Sequence, residues 1–427
     1  MHAPMLTPEA RASLQAQARA AAYAMPIEDI DLSDGTLYAQ DTVWPYYERL
    51  RKEAPVHYRR VEGARAGTGF WSVTRYQDIM SVDINHKVFS SEAEHGGIVV
   101  FKMPTRAANR SFIAMDPPDH DAQRRAVSPA VAPDNLRRLS GLIRERVRHI
   151  LDDLPRNETF DWVERVSKEL TTQMLATLFD FPFAERHLLP YWTEVITMIP
   201  PVSDEAAWQK RDAEMNKMWD YFTGLWNSRV NAAPGNDLIS MLAHSPATRN
   251  MSPSEFRGNM VLLTVGGNDT TRNSITGGLL FLNQNPDQYD KLMANPALIS
   301  TMVPEIIRYQ TPLAHMARTA LEDIELAGQR IRKGERVVMW YASGNRDDTE
   351  IDQPDRFIID RARPRNHLSF GFGVHRCVGN RLAEMQLSIL WEEILARFPR
   401  IEVVGEPVRV PSSFVHGYAS MPVRIPG

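Results

Sequence analysis

The chain has 427 residues, 43% hydrophobic and 24% charged, a composition that excludes disordered, collagen-like and membrane-spanning classes. Forty-nine Lys and Arg against 53 Asp and Glu leave a net charge of −4, so nucleic acid meets no overall basic attractor. The single cysteine excludes an intrachain disulfide framework and every zinc site that needs two thiolates.

Taken in chain order, the stretch from Ala10 to Met25 has no charged start and apolar core of an export signal, and reads as a polar helix or a loose tail. Residues 1–40 are therefore expected to be an N-terminal tail or extension, with 41–427 as one domain. No apolar run reaches the roughly 18 residues of a membrane span, which makes the cytoplasm the default location. Pro55-Val56-His57-Tyr58 and Gly69-Phe70-Trp71-Ser72-Val73 alternate as strands do. Ile98-Val99-Val100-Phe101 is an apolar stretch suited to a lid. From Asp116 to Gln310 apolar residues recur at three- and four-residue spacing, as in Ile143, Val147, Ile150-Leu151 and Leu154, so this part is mostly helical. Within it, His120 and Arg124 stand at i and i+4 on one helical face, and Arg125, Arg137, Arg138, Arg144 and Arg146 form a basic stretch.

Ser252-Pro253-Ser254-Glu255 is a capping box with proline at the first helical position, and it predicts a helix to Asn285. At about 33 residues that helix is roughly 50 Å long and crosses a whole domain. In its middle stand Gly266-Gly267-Asn268-Asp269-Thr270-Thr271. Each mid-helix glycine costs about 1 kcal/mol against alanine, so the pair implies either close packing or room for a ligand. The Thr270 hydroxyl is expected to bond a carbonyl one turn earlier and open the helix locally, with Asp269 beside it as an acid–alcohol proton relay. Glu305 and Arg308 form an i, i+3 pair, a spacing that on its own most often marks a solvated contact. Strand patterns return at Ile324-Glu325-Leu326, Val337-Val338-Met339-Trp340 and Ile401-Glu402-Val403-Val404. The fold class is mainly α with small β-sheets to one side.

Cys377 lies in Phe370-Gly371-Phe372-Gly373-Val374-His375-Arg376-Cys377-Val378-Gly379. A helix follows, with Ala383, Leu387, Leu390, Trp391, Ile394 and Phe398 on one stripe. Helix-start N–H groups and the neighbouring Arg376 favour a thiolate, and the flanking glycines admit something flat or bulky. A lone thiolate in such a nest suits an axial haem-iron ligand. An isolated cysteine without this context would be a small buried hydrophobe, and a nucleophile would need His375 to fold back as its base.

The ten-residue segment resembles the haem-binding signature of the cytochrome P450 superfamily at every fixed position. The resemblance covers the chain after about residue 40 and implies a P450 fold, with haem b (iron protoporphyrin IX) between the long central helix and the helix after the cysteine. It implies Cys377 as the iron ligand, with Phe370, Gly371, Gly379 and Gly266 against the cofactor and His120, Arg124, Arg318 and His375 at its propionates. It implies that Asp269 and Thr270 deliver protons to bound dioxygen. Glu305 and Arg308 match the structural Glu-x-x-Arg motif, whose second arginine is either Arg356 or Arg361.

More narrowly, Phe112-Ile113-Ala114-Met115-Asp116-Pro117-Pro118, the segment Val265 to Ser274, the segment Val338 to Asp347 and Trp391-Glu392-Glu393-Ile394-Leu395 look like the soluble bacterial alkane-hydroxylase P450s. That likeness implies a monooxygenase forming primary alcohols from medium-chain alkanes, with fatty acids, alcohols and alkenes as further substrates. Val100, Phe101, Leu263, Val265, Gly266, Leu313, Met316 and Phe414 are expected to wall an apolar pocket with few polar groups. One cysteine cannot hold an iron–sulfur cluster, so electrons must come from partners: a 2Fe–2S ferredoxin and its flavin-dependent NADH reductase, with the basic stretch as an attractor. The alternatives are a P450 hydroxylase of a terpene or aromatic, and a non-catalytic haem-thiolate sensor or carrier.

Overall fold

The computed structural model describes residues 4–61, 69–101, 109–198, 200 and 203–427. Helices dominate: α1 Pro8–Ala24, α2 Trp44–Glu53, α3 Tyr76–Ile84, α4 Asp119–Val127, α5 Pro133–Asp152, α6 Glu169–Phe179, α7 Leu188–Thr197, α8 Glu205–Val230, α9 Pro253–Gln284, α10 Ile299–Gln310 and α11 Asn380–Arg397 are the principal ones. The largest sheet has five strands, β1 Val56–Arg59, β2 Phe70–Val73, β3 Phe89–Ser90, β4 Met316–Ala320 and β5 Arg336–Met339, in the order β1-β2-β5-β4-β3. Only the β2–β5 pair is parallel among the described residues. Three smaller sheets among the described residues complete the expected mainly-α class. Among the described residues no helix is long and apolar enough to cross a membrane.

The first forty residues hold α1, whose N-cap Thr7 accepts from the Ala10 N–H. Its Ala18 and Ala22 are buried, and Arg49 of α2 donates to the carbonyls of Ala22 and Met25 at 2.6 Å. Ile30, Leu32 and Tyr38 join the same apolar cluster as Tyr47, Leu50 and Trp340.

The long helix α9 forms the axis of the fold. Ser252 and Glu255 make the reciprocal capping box, and the helix runs 32 residues. Its second half, from Asn273 to Leu282, is buried all round, the pattern of a helix enclosed by others. It packs against α6, α7, α10 and α11. Cysteine helix α11 lies on α5, with Leu387, Leu390, Trp391 and Ile394 in the main core beside Ile143, Val147 and Ile150. Polar residues close that contact: Arg144 binds Glu392 at 2.5 Å and Glu393 at 2.7 Å, and Arg148 binds Glu393 at 3.0 Å.

Candidate functional site

The site is built where the middle of α9 faces the loop before α11. Gly266 points at free space: a Cβ there would meet nothing within 4 Å, whereas at Gly267 it would touch Leu175 at 3.0 Å. The two glycines thus split the sequence alternatives, one leaving room and the other permitting packing. Thr270 donates its hydroxyl to the Gly266 carbonyl at 3.1 Å, as the spacing predicts. The expected local opening is not a break, since α9 remains continuous through this turn. Asn268 anchors the turn from behind, accepting from Thr171 at 2.7 Å and donating to Thr193 at 3.3 Å.

Asp269 is 3% exposed and faces Arg272 at 2.9 Å. Burial raises its pKa, and the Arg272 charge only partly opposes that. Asp269 and Thr270 both line the cavity described below.

Across from them, Gly371 and Gly373 take φ of 63° and 64°, a left-handed conformation that favours glycine. At Gly373 a Cβ would also meet the Asp83 carbonyl oxygen at 2.7 Å. The turn they make returns the Cys377 N–H to the Phe370 carbonyl at 2.8 Å. Cys377 is accessible although protein surrounds its sulfur closely. The cavity reaches the thiol from inside. Burial pushes the thiol pKa up, while the Gly379 and Asn380 N–H groups and the Arg124 and Arg376 charges pull it down.

Four residues expected at the propionates from scattered positions, two histidines and two arginines, meet at one edge. The rings of His120 and His375 lie 4.4 Å apart. Arg124 donates to the Arg376 carbonyl, and Arg318 lines the cavity beside His375 and Cys377. His120 Nε2 and both His375 nitrogens are buried without a partner among the described residues. Burial, aided for His375 by the Arg318 charge, lowers both histidine pKa values, that of His375 to about 2.

Glu305 and Arg308 are buried completely, not solvated. Arg361 is the second arginine, at 3.0 Å from Glu305, while Arg356 contributes only its carbonyl, accepting from Arg308 at 3.2 Å and Arg361 at 3.0 Å. Arg308 also donates to the Asn345 carbonyl at 2.7 Å. Asn345 in turn accepts from Leu368 N–H at 2.6 Å and donates to Ser369 at 2.9 Å, which carries the cluster to the cysteine loop.

A cavity of about 1360 Å³ joins these parts. Cys377, Phe370, Gly371, Gly379, Gly266, Arg124, Arg318 and His375 line it, and so do all eight expected wall residues, Val100, Phe101, Leu263, Val265, Gly266, Leu313, Met316 and Phe414. His120 reaches it only through His375. The expectation of few polar groups is corrected: Arg211 and Asp212 of α8 and Arg257 of α9 also line the cavity, because a helix that presents an apolar stripe inward carries its polar flank to the rim.

The basic stretch needs correction too. Arg144 is spent on Glu392 and Glu393, Arg146 on the Gln173 carbonyl and Thr177, and Arg137 on Asp134. Beside Cys377 stand instead Arg376 and Arg381, exposed and without an ion-pair partner among the described residues. Sequence reasoning also missed Asp83 and Asn345. An acid set between Val82 and Ile84 was the available signal for the first, and Asn345 offered none.

The family model described as Cytochrome P450 matches residues 66–413. The linalool 8-monooxygenase of Pseudomonas putida is 36% identical over 410 residues, covering 93% of this chain and 99% of that protein. A methyl-branched lipid omega-hydroxylase of Mycobacterium tuberculosis is 31% identical, covering 93% and 95%. Among solved structures, CYP153D17 from Sphingomonas sp. PAMC 26605 superposes with a TM-score of 0.87 at 46% identity, over 93% of this chain and 99% of that one.

Proposed function

The chain belongs to the cytochrome P450 family of haem b monooxygenases, and on that premise we propose that it hydroxylates the terminal carbon of medium-chain alkanes or similar apolar chains to primary alcohols. The observation that carries the reading is the cavity itself: apolar walls from Phe101, Leu263, Val265, Leu313, Met316 and Phe414 lead past Gly266 to Cys377. The methyl-branched lipid omega-hydroxylase relative supports attack at a chain end.

The residues present fit the cofactor. Open space over Gly266 would give the flat group room, and the Cys377 thiol on the cavity lining would supply a ligand to its iron. The partnerless nitrogens of His120 and His375, with Arg124 and Arg318, offer donors to two propionates. When bound there, the haem supplies the dioxygen chemistry and the C–H oxidation.

The chain's own groups do the rest. Cys377, whose sulfur faces the Gly379 and Asn380 N–H groups, would hold the haem iron through its sulfur. Asp269, its pKa raised by burial, holds a proton more readily than an exposed aspartate and passes it to Thr270. Thr270 donates to the Gly266 carbonyl at rest; in the relay its hydroxyl turns from that carbonyl, gives its own proton toward the cavity and takes one from Asp269 in return. The Asp269–Arg272 ion pair must loosen for the proton to be renewed from outside. Apolar walls keep other water from the reacting end and turn a flexible chain so that its tip arrives first. A terminal C–H is stronger than the methylene bonds beside it, so exclusion of those methylenes decides the product.

Electrons come from a separate partner, which we take to be an acidic 2Fe–2S ferredoxin reduced by a flavin-dependent NADH reductase. Arg376 and Arg381 beside the cysteine loop offer it a positive face.

A second reading, oxidation of an acyclic terpene, is favoured by the linalool 8-monooxygenase relative. Incubation of the reconstituted system with octane, a medium-chain fatty acid and linalool, with products separated by gas chromatography, decides between them. The proposal expects 1-octanol from octane. Subterminal alcohols, or turnover of linalool alone, would overturn it. A haem-thiolate sensor or carrier would turn over none.

A further inference from the structure

Asp83, at the end of α3, is a carboxylate with 2% exposure that no part of the mechanism above uses. Three donors from separate parts of the chain converge on it. Arg318 of β4 donates to Oδ1 at 2.8 Å, and Oδ2 accepts from the Tyr341 hydroxyl and from the Phe372 N–H, both at 2.8 Å. Phe372 lies between the two left-handed glycines, and a Cβ at Gly371 would stand 3.2 Å from Asp83 Oδ2. One side chain therefore touches both the cation at the cavity edge and the turn that leads to Cys377.

We infer that Asp83 is a positioning residue of the cofactor site, orienting Arg318 toward a haem propionate and setting the path of the thiolate loop through Phe372. The inference rests on the haem-binding part of the proposed function and not on its substrate. A guanidinium has five N–H donors. The Ala317 carbonyl, at 2.9 Å, and Asp83 take one each, and the remainder are left for a propionate. The short carboxylate also bounds the charge: Asp83 and Arg318 together are neutral, so the field of the cation at the haem edge is partly cancelled at its source. Tyr341 remains a donor, because burial and the Asp83 charge hold its phenol well above the usual range.

The test is the ferric–ferrous midpoint potential of holoenzyme variants, with haem transfer to excess apomyoglobin as a second readout. D83N leaves the cation unbalanced and should raise the potential; R318Q leaves the carboxylate unbalanced and should lower it. The double variant D83N/R318Q should return toward wild type. Haem loss should quicken about tenfold in D83N, as for a lost charged hydrogen bond. Y341F keeps the carboxylate and should leave the potential unmoved. A merely structural role would alter melting temperature without opposite-signed shifts, so shifts of one sign, or none, overturn the inference. Should D83N fail to accumulate, R318Q and the double variant still give the comparison: a double variant no closer to wild type than R318Q refutes it. Failure of alkane turnover in wild type would bear on the substrate alone.

Discussion

Thr270 donates its hydroxyl to the carbonyl of Gly266 one turn earlier in α9, at 3.1 Å, directly beside the open space over that glycine. The bond orients the threonine oxygen, and Asp269 next to it is the buried acid that can replenish it.

Replacing either member of this pair should separate electron use from product formation. D269N should slow turnover about a hundredfold, in the range of lost acid catalysis. T270A should consume NADH while releasing peroxide in place of alcohol. Product, NADH and peroxide measured in one incubation check both, and a tightly coupled T270A would remove Thr270 from the relay.

Gly266→Ala should move stability and activity in opposite directions. An added methyl meets nothing within 4 Å and a helical glycine is costly, so thermal unfolding should show a gain of about 1 kcal/mol. The same methyl enters the space proposed for the cofactor and substrate, so haem content or turnover should fall. A variant more stable and equally active would mean the space is idle.

The Glu305 cluster predicts acid sensitivity. Burial alone would raise the Glu305 pKa, but Arg308 and Arg361 outweigh it and the net shift is downward. A depressed folded-state value means its stabilisation is full above the ordinary glutamate pKa and is lost as pH falls through the folded one. Breaking a buried pair typically costs about 3–5 kcal/mol, so E305A should unfold at much lower temperature at pH 7, with the gap to wild type narrowing in acid. Melting curves across pH 3–7 (about the carboxylate range) test this; a constant gap would contradict the assignment.

Charge reversal separates the two groups of arginines. R381E, on the exposed face beside Cys377, should raise the KM for ferredoxin roughly tenfold while leaving melting temperature unchanged. R144E, which loses Glu392 and Glu393, should destabilise the α5–α11 contact and leave that KM alone. Steady-state kinetics over a salt series distinguishes them, since only the first effect should fade with ionic strength.

What could be read from sequence was what short stretches of backbone decide. The capping box at Ser252, the stripe after Cys377 and the Thr270-to-Gly266 bond all span four residues or a simple multiple of a helical turn, so they follow from local geometry. The cysteine segment belongs here as well, because its glycines and its helix start lie within ten residues.

Tertiary structure decided the matters that depend on partners far along the chain. It chose Arg361 over Arg356 for Glu305, across 56 residues, and it turned Arg144 inward to meet Glu393, across 249. It also brought Asp83 to Arg318 across 235 residues. A charge reads the same in sequence whether solvated or paired. Only packing determines which side chains lose their water, and a buried charge must then find the nearest opposite one.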